Sequence, residues 1–356
     1  MRVLITGNAG YVGPVAVAYL KESHPDWTLE GFDAGFFASS LSDPTAAPES
    51  LLSIQHWGDI RDDLAIPLDG VDAVVHLAGL SNDPMGNRFT ELTEDINVRA
   101  TEALIRRAQR AGVTRFVFAS SCSMYGATSG GACSEQDELS PLTPYARSKV
   151  AIEERLRAFA RPSFTVTCLR FATACGASPR LRLDLVLNDF VATALSTGKV
   201  VVLSDGTPWR PLIDVKDMAR AIDWSLTVRN DIGEAFVAVN TGSDEWNYQV
   251  RDLARYVADR VPGTQVELFT DAPADTRTYR VDFALFRKLA PGHQPVVTIG
   301  ESIDRLIQHM QSGGEAFDWS RSGRFSRLHE LERLQAARIL DENLCWTDTE
   351  TMGIDA

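Results

Sequence analysis

The sequence predicts an α/β fold, in which a doubly wound parallel sheet has helices on both faces and a smaller lobe follows it. Short β-rich runs alternate with helical stretches from Met1 to about Arg170, and such alternation builds a parallel sheet. A glycine-rich segment separates the first run from the first helical stretch. With 356 residues, 44 % of them hydrophobic, the chain can bury one large core and a smaller one.

The predicted strands of the sheet are short apolar runs in chain order. They are Arg2–Thr6, Thr28–Phe32, Ala73–Leu77, Arg115–Ala119 and Phe164–Leu169. Beyond Arg170 the alternation loosens, and the pattern predicts helices over 184–196 and 215–228 and strands over 200–203 and 235–240. We expect the smaller lobe in this second half.

The first strand runs into a G-x-x-G-x-x-G turn formed by Gly7, Gly10 and Gly13. Glycines at these points allow a tight turn and close approach to a pyrophosphate, while the helix N-terminus offers free N–H groups to the anion. Pro14 fits the first helical turn, where no N–H is required. Asp33, twenty residues after Gly13 (33 − 13), ends the second strand. A carboxylate there accepts hydrogen bonds from the adenosine ribose and repels a 2′-phosphate, which favours NAD.

A Y-x-x-x-K motif places Tyr145 and Lys149 one turn apart on one face of a predicted helix. Because the ammonium stabilises the phenolate, we expect the pKa of Tyr145 to fall towards neutrality. Such a tyrosine is a general base or acid for an alcohol/ketone pair. Ser121, 24 positions upstream (145 − 121), completes a candidate proton-transfer relay. The spacing alone is common on helices, and the glycine turn is what gives it weight.

Further short motifs accompany these two. They are Gly58-Asp59-Ile60, His76-Leu77-Ala78-Gly79, Asn97, Ser120-Ser121, Tyr125-Gly126 and Arg170. Taken together, the set resembles the extended short-chain dehydrogenase/reductase family, specifically its nucleotide-sugar epimerases and dehydratases, over roughly residues 1 to 310. The resemblance implies a Rossmann-type NAD-binding domain over 1–170, to which 211–240 returns, and a discontinuous nucleotide-sugar lobe over 171–210 and 241–314.

The resemblance also assigns site residues. Those implied for NAD are Gly7, Gly10, Tyr11, Val12, Gly13, Asp33, Asp59, Ile60, Leu77, Ala78, Gly79, Asn97, Tyr145 and Lys149. Asp59 and Ile60 are expected to flank the adenine, Asn97 to support the site, and Ser121 to hydrogen-bond the reacting sugar oxygen. His76 is expected to be a packing residue.

Substrate contacts are implied in the looser half of the chain. Six candidates lie there, namely Thr173, Arg180, Arg182, Asn188, Arg210 and Arg277, and two more, Ser81 and Ser123, lie before it. Arg210 matches a diphosphate-binding arginine of the family, and a guanidinium fork suits that geometry. For Arg180 and Arg182 a solvated loop is an equal alternative. Residues 272–275 read Ala-Pro-Ala-Asp where epimerases of the family have Arg-Pro-Gly-Asp, so Arg277 or Arg280 is the expected replacement.

The residues after Ser121 bear on the reaction. Cys122 and Ser123 stand where the family's 4,6-dehydratases have Asp and Glu, so elimination lacks its acid/base pair. Cys122 also lies one position before the catalytic Cys of the 3,5-epimerising reductases, and Ser178 stands where their His is expected. Cys122 is favoured as a packing residue but is kept as a catalytic candidate, since a role as a sugar-facing acid stays open.

The expected function is NAD-dependent epimerisation of a nucleotide sugar. Tyr145 would take the proton of a sugar hydroxyl, with C4 as the first candidate carbon, while that carbon is transiently oxidised and then receives hydride on its other face. The alternative is an NAD(P)H-dependent reductase of an NDP-4-keto sugar, which uses the same residues. A 4,6-dehydratase and a non-catalytic NAD sensor rank lower.

Composition excludes several classes of partner. A net charge of −13 and a pI near 5.0 argue against binding nucleic acid or an anionic membrane. No apolar run reaches the roughly 18 residues of a membrane span, and the first strand begins at Met1, so we expect a cytoplasmic protein. Five cysteines without C-x-x-C spacing and six scattered histidines predict neither a disulfide framework nor a metal site.

Two helices and the C-terminus complete the predictions. Helices over 93–111 and 143–160 carry apolar stripes for which core packing is the default explanation. The resemblance adds a homodimer in which these helices form a four-helix bundle. Residues 315–356 extend past the family core, where Leu328, Leu331, Leu334 and Ile339 predict an amphipathic helix docked by Trp346. A packing arm is favoured there over a lid.

Overall fold

The structure, a computed structural model, describes residues 1–43, 45–128, 130–227, 233–269, 278–312, 319 and 323–347. The strands are β1 Arg2–Thr6, β2 Thr28–Asp33, β3 Ile54–Trp57, β4 Ala73–His76, β5 Arg115–Ser121, β6 Ala132–Cys133, β7 Thr165–Phe171, β8 Thr173–Cys175, β9 Lys199–Val202, β10 Trp209–Asp214, β11 Phe236–Thr241, β12 Asn247–Gln249, β13 Gln265–Leu268 and β14 Arg280–Val281.

The α-helices are α1 Gly13–Ser23, α2 Asp83–Arg88, α3 Thr90–Thr93, α4 Thr101–Arg110, α5 Pro144–Phe159, α6 Val186–Thr197, α7 Val215–Thr227, α8 Val250–Arg260, α9 Ala284–Leu289, α10 Ile299–Ser312 and α11 Arg327–Ala336. A π-helix spans Glu94–Ala100, between α3 and α4. Short 3₁₀ turns lie at Pro48–Leu51, Asp63–Ala65, Cys122–Tyr125, Asp244–Trp246, Pro291–His293 and Gly323–Phe325.

The large sheet has seven parallel strands in the order β11-β7-β5-β4-β1-β2-β3. Val3 of β1 pairs with Leu29 on one side and with Ala73 on the other. After β3 the chain crosses β1 to start β4, so the order reverses between β1 and β4. Ligands of such folds bind at the carboxyl ends of the strands beside this switch point. The predicted Rossmann-type fold is therefore confirmed.

Side-chain alternation along β1 builds a core on each face of the sheet. Val3 and Ile5 pack with Leu20 of α1 and Trp224 of α7, whereas Leu4 packs with the helices on the other face. Both faces are covered, which is why these strands appear in the sequence as continuous apolar runs.

The second half of the chain forms a third core and then returns to the large sheet. Helices α6, α8 and α10 contact one another around a separate apolar cluster. In contrast, β11 pairs with β7, and α7 packs against α1. These contacts place the segment that carries α7 and β11 with the dinucleotide half of the fold.

The helical stretch predicted over 93–111 contains a π-turn that the sequence did not reveal. Single π-turns are frequent at functional sites, and this one holds Asn97 against the loop after β4. The apolar residues Leu104, Ala108 and Leu156 of the two predicted stripes are buried in the subunit core. Core packing is thus a sufficient explanation for these apolar residues, and the four-helix bundle between two subunits stays a prediction.

Helix α11 contains Leu328, Leu331 and Leu334 of the predicted C-terminal stripe, with Leu331 and Leu334 buried, whereas Ile339 lies beyond its end. We call residues 323–347 the C-terminal arm. Trp346 in this arm donates its indole N–H to the carbonyl oxygen of Ala34 at 2.6 Å, so it docks the arm as expected. Among the described residues, no helix combines the length and the apolar character that crossing a membrane requires.

Candidate active site

A cavity of about 480 Å³ opens at the carboxyl ends of β1, β2, β4 and β5. The glycine turn, Asp33, the loop after β4 and Tyr145 all line it. Predicted cofactor residues on its wall are Gly7, Gly10, Tyr11, Val12, Asp33, Asp59, Ile60, Leu77, Ala78, Gly79, Tyr145 and Lys149. The fold thus brings together segments that lie more than 100 residues apart in the sequence.

The glycine turn is shaped by contacts that leave no room for side chains. Gly7 has φ +76°, and a Cβ there would lie 2.5 Å from the backbone nitrogen of Ala78. A Cβ on Gly13 would lie 2.2 Å from the carbonyl oxygen of Asn8. Gly13 begins α1 and does not line the cavity. Its role is to let the turn close onto the helix.

Asp33 is held in place by backbone amides. Its Oδ2 accepts from the N–H of Ala9 at 3.0 Å and its Oδ1 from the N–H of Gly35 at 2.7 Å. Burial raises the pKa of Asp33 despite these two donors. Asp59, on the same wall, pairs with the guanidinium of Arg61 at 2.5 Å. The two carboxylates therefore have fixed positions at the predicted adenosine end.

Asn97 connects the loop after β4 to helix α5. Its Oδ1 accepts from the N–H of Leu80 at 2.8 Å, and its Nδ2 donates to the carbonyl of Leu80 at 3.0 Å and to Ser148 Oγ at 3.1 Å. Asn97 does not line the cavity, which argues against the predicted direct contact with NAD, and its support of the site stays a prediction. His76 is buried, and its burial lowers its pKa to about 3, which confirms the packing interpretation.

The three relay residues meet at one end of the cavity. Thr143 caps the start of helix α5, where its Oγ1 accepts from the N–H of Ala146 at 3.1 Å, and this start places Tyr145 in the first turn. Lys149 Nζ donates to the carbonyl of Ala119 at 2.7 Å and lies 5.6 Å from the centre of the Tyr145 ring. Ser121 Oγ accepts from the N–H of Ser123 at 3.1 Å, which leaves its own proton available for donation.

The expected acidic phenol is not what the structure shows for the protein alone. Burial raises the pKa of Tyr145 to about 12, although hydrogen bonding to Ser121 opposes the rise. The charge of Asp83 raises the Tyr145 pKa further. Burial lowers the pKa of Lys149 to about 8, against the charge of Glu153. The predicted fall of the Tyr145 pKa towards neutrality is therefore wrong for the protein alone, because desolvation outweighs the hydrogen bond to Ser121 and the charge of Arg182.

The predicted substrate residues divide into three groups. Those that line the cavity are Ser81, Ser123, Thr173, Arg182 and Arg210. Arg180 and Asn188 are buried away from it; Asn188 Oδ1 accepts from the N–H of Gly176 at 2.9 Å. Arg277 and residues 272–275 lie outside the described residues.

The alternative of a solvated loop is wrong for both arginines before α6. Arg180 is 2 % exposed and pairs with Glu49 at 2.7 Å. Arg182 is also buried, contacts Ser81 Oγ at 3.2 Å and pairs with Asp184 at 2.9 Å. Burial would raise the pKa of Asp184, but the charge and hydrogen bonds of Arg182, with the charge of Arg327, together outweigh it and lower that pKa. Both guanidiniums are consequently part of the folded core.

A comparison with known families decides the assignment. The profile of the NAD dependent epimerase/dehydratase family matches residues 3–239, well over half of the chain. The chain belongs to this family. As an epimerase/dehydratase family member it is an enzyme of the extended short-chain dehydrogenase/reductase type, and the family's cofactor is NAD.

Relatives of this family member include both reaction types. It is 27 % identical over 323 residues to the dTDP-D-glucose 4,6-dehydratase of Mus musculus, with 86 % of this chain and 88 % of that protein covered. It is 25 % identical over 317 residues to a putative UDP-glucose 4-epimerase of Methanocaldococcus jannaschii, covering 87 % and 98 %. The solved structure of MoeE5 in complex with UDP-glucuronic acid and NAD is 27 % identical, has a TM-score of 0.73, and covers 88 % of this chain and all of its own.

The cavity of the epimerase/dehydratase family member fits a dinucleotide. The glycine turn presents the N-terminus of α1, and Asp33 presents a fixed carboxylate. Ser120 Oγ, Ser123 Oγ and Arg327 Nη1 are buried without a hydrogen-bond partner in the part of the chain that is described. Since all three residues line the cavity, their free polar atoms point to ligand contacts there.

Cys122 is the catalytic candidate that the structure contradicts. The 3₁₀ turn after β5 directs its side chain into the core, where Sγ donates to the carbonyl of Arg170 at 3.0 Å. Burial raises the pKa of the Cys122 thiol well above its ordinary value. Cys122 does not line the cavity, so of the two interpretations the one as a packing residue holds.

Several wall residues were missed from the sequence. Asp83 lines the cavity and accepts from Thr143 Oγ1 at 2.6 Å, while Asn82 donates to Asp184 at 2.5 Å. The Asn82-Asp83-Pro84 run is a recognisable helix start, so this signal was available. Arg327 also lines the cavity, and no local pattern of the sequence marks it.

Proposed function

We propose that this family member is an NAD-dependent nucleotide-sugar epimerase that transiently oxidises one ring carbon, C4 in the first instance. The observation that carries the proposal is the meeting of Tyr145, Ser121 and Lys149 at one end of the cavity, with a buried thiol instead of a carboxylate after Ser121. These groups suit proton transfer to and from an alcohol.

The chain's own groups have distinct tasks in this scheme. Tyr145 takes the proton of the sugar hydroxyl as the carbon is oxidised and returns it when the carbon is reduced on its other face. Ser121, whose Oγ already accepts from Ser123, donates to the reacting oxygen. Lys149 adds positive charge beside the phenol ring. Bound NAD supplies the hydride acceptor and a further positive charge, and it is regenerated in each cycle.

Two arginines support a nucleotide diphosphate as the substrate's anionic part. Arg182 and Arg210 both line the cavity and bring positive charge to it, although the Arg182 fork is also paired with Asp184. The net charge of −13 makes such a local cluster necessary for an anionic substrate.

Elimination is a second candidate because of Asp83. This carboxylate lines the cavity, and its charge acts on the Tyr145 phenol. It lies on α2, whereas the acid/base pair implied for the dehydratases follows Ser121. Two further carboxylates on the wall are ion-paired, Asp184 with Arg182 and Asp59 with Arg61, whereas Asp83 accepts from Thr143 Oγ1.

The test is a screen of UDP-, GDP-, CDP-, ADP- and dTDP-sugars in D₂O, followed by NMR of the products. Hydride return to the same carbon produces an epimer without deuterium at that carbon, whereas elimination passes through a carbon acid and introduces deuterium. Net loss of NADH absorbance with a keto sugar would identify the reductase. Absence of turnover with every sugar nucleotide would contradict all three reactions.

Tyr145→Phe is the variant that tests the relay. We expect turnover to fall by about 10²- to 10⁴-fold, the usual contribution of a positioned acid/base group, while NAD remains bound. Asp83→Asn is the comparison for elimination, since it removes the carboxylate charge but keeps the Tyr145 hydroxyl and an oxygen that can accept from Thr143 Oγ1. Loss of turnover in Asp83→Asn with activity preserved in Tyr145→Phe would favour elimination.

We also infer a homodimer in which α4 and α5 of two subunits form a four-helix bundle, as the family resemblance implies. The outer face of α4 carries exposed arginines at 106 and 110, so such an interface would pair charges as well as apolar groups. Mass measurement in solution tests it, and a monomer at micromolar concentration would contradict it.

A further inference from the structure

The C-terminal arm borders the part of the cavity that is lined by the glycine turn, Asp33 and Asp59, which we call its dinucleotide half. Trp346 donates to the carbonyl of Ala34 in the loop after β2. Arg61, which pairs with Asp59, donates from Nη1 to the carbonyl of Asn343 at 2.7 Å. The arm therefore fixes two loops that line the predicted adenosine end, although the family profile stops at residue 239.

Arg327, the first residue of α11, brings a guanidinium from the arm to the cavity wall. It is 2 % exposed, and its Nη2 donates to the carbonyl of Arg180 at 3.0 Å. Its guanidinium carbon lies 4.4 Å from the centre of the Phe37 ring. Nη1 is buried and has no hydrogen-bond partner in the described part of the chain.

The neighbouring arginines differ from Arg327 in one respect. Arg180 pairs with Glu49 at 2.7 Å and Arg182 with Asp184 at 2.9 Å. Within the described ranges, no carboxylate lies at ion-pair distance from Arg327. Burial, together with the charge of Arg182, lowers the pKa of Arg327 to about 9. A buried cation without a counter-ion is unfavourable unless a ligand supplies the negative charge.

The surroundings of Arg327 indicate which anion this is. Arg327 contacts the carbonyl of Arg180, and the segment just before Arg180 is bonded to the glycine turn: Tyr11 OH donates to the carbonyl of Gly176 at 2.6 Å, and Ser178 Oγ donates to the carbonyl of Tyr11 at 2.7 Å. On its other side, Phe37 belongs to the loop that follows Asp33. Arg327 is thus adjacent to the loop after Asp33 and to a segment that is hydrogen-bonded to the glycine turn, and both of these are predicted to contact NAD.

We propose that the C-terminal arm is part of the dinucleotide site and that Arg327 donates through Nη1 to the diphosphate of NAD. A guanidinium is the side chain best suited to this task, because its donors match phosphate geometry. The proposal holds for epimerase, reductase and dehydratase alike, since it concerns cofactor binding and not the reaction.

The experiment uses the full chain and three variants. Arg327→Met keeps the apolar stem against Phe37 but removes the donors, and Arg327→Lys keeps the charge without the fork. Arg324→Met is the matched control, because Arg324 is an exposed arginine three residues earlier. After removal of any bound nucleotide, calorimetry measures the affinity for NAD, ADP-ribose, NADP and UDP, and thermal unfolding is followed with and without NAD.

For Arg327→Met we expect NAD and ADP-ribose to bind about tenfold to a hundredfold more weakly, the usual effect of losing hydrogen bonds to a charged group. Affinity for UDP and the melting temperature without ligand should match the wild type, while the stabilisation by NAD becomes smaller. Arg327→Lys should lie between, and Arg324→Met should bind NAD within twofold of the wild type.

Unchanged affinity of Arg327→Met for NAD and ADP-ribose would overturn the proposal. Weaker binding of UDP with NAD unaffected would assign Arg327 to the nucleotide sugar, and selective loss of NADP binding would assign it to a 2′-phosphate. None of these outcomes depends on turnover, so they are distinguishable from failure of the proposed epimerase activity.

Discussion

Glu153→Gln tests whether the buried ion pair between Glu153 and Arg170 stabilises the fold and the charge of Lys149. Glu153 accepts from Arg170 Nε at 3.1 and 3.2 Å and from Nη2 at 2.8 Å, and both side chains are 6 % exposed. Arg170 also donates from Nη1 to the hydroxyl of Tyr125 at 3.1 Å. Glu153 lies one helical turn after Lys149 on α5, so one carboxylate faces two cations.

The expected loss of stability follows from this burial. Burial alone would lower the pKa of Arg170, but the charge and hydrogen bonds of Glu153 outweigh it and raise that pKa. Removing one partner of a buried pair costs about 3 to 5 kcal/mol, because the other charge is left uncompensated. A glutamine oxygen still accepts one hydrogen bond from the guanidinium, which places the expected value near the lower end, about 3 kcal/mol.

The same substitution should change the relay. The charge of Glu153 opposes the effect of burial on Lys149, whose pKa is about 8. In Glu153→Gln we expect that pKa to fall further, so that the ammonium is lost at a lower pH and turnover declines earlier on the alkaline side. A pH–rate profile of the variant against the wild type measures this shift.

Urea unfolding of wild type, Glu153→Gln and Glu154→Gln measures the stability change. Glu154 is the adjacent, exposed glutamate, and its substitution should cost no more than about 0.5 kcal/mol. The double replacement of Glu153 and Arg170 by methionine should recover much of the loss, since no unpaired charge remains. A loss below about 1 kcal/mol for Glu153→Gln would refute the reasoning, because it would equal an ordinary surface substitution.

Three further substitutions test the walls of the cavity. Gly7→Ala should abolish NAD binding in calorimetry, because φ is +76° and the Cβ would lie 2.5 Å from the backbone nitrogen of Ala78; binding like the wild type would contradict this geometry. His76→Gln should reduce the loss of stability that the wild type shows in acid. The pKa of His76 is 6.5 in the unfolded chain and about 3 in the folded one, so below pH 6.5 the unfolded state takes up the proton first. The free energy of unfolding of the wild type therefore drops by about 1.4 kcal/mol per pH unit from this residue. Equal urea midpoints at pH 6.5 and 5 in the wild type would exclude that contribution. Asn97→Ala removes both backbone hydrogen bonds to Leu80 and should lower kcat more than NAD affinity, while a selective loss of NAD affinity would assign Asn97 to the cofactor instead.

The strands of the large sheet could be predicted to within two residues wherever both of their faces are buried. Leu4 and its neighbours on β1 show why, since a strand covered on both sides is a continuous apolar run. β3, Ile54–Trp57, was missed for the complementary reason. It is the edge strand, it includes Gln55 and His56, and both of its end residues are exposed.

The site was predictable where spacing along the chain determines geometry. The glycine turn, Asp33 and the Tyr145/Lys149 pair belong to this class, and all but one of these residues line the cavity. Burial of Arg182 was not predictable, because it depends on Ser81, which is 101 residues away. The direction of Cys122 depends on a 3₁₀ turn, which has no strand periodicity.

Burial of the relay has two opposing effects on the ionisation of Tyr145. It raises the pKa of Tyr145 to about 12, so that only about one phenol in 10⁵ is ionised at pH 7 in the protein alone. The same exclusion of water strengthens every charge interaction at the phenol, because the effective dielectric constant is low. A positive charge that arrives with the cofactor therefore acts more strongly on a buried tyrosine than on an exposed one. Lys149, held by the carbonyl of Ala119, supplies part of that field while it is protonated. Under the proposed function, we therefore expect the phenol to become a competent base only when the cofactor is bound, so that proton abstraction would occur only in the complex in which hydride can also be transferred.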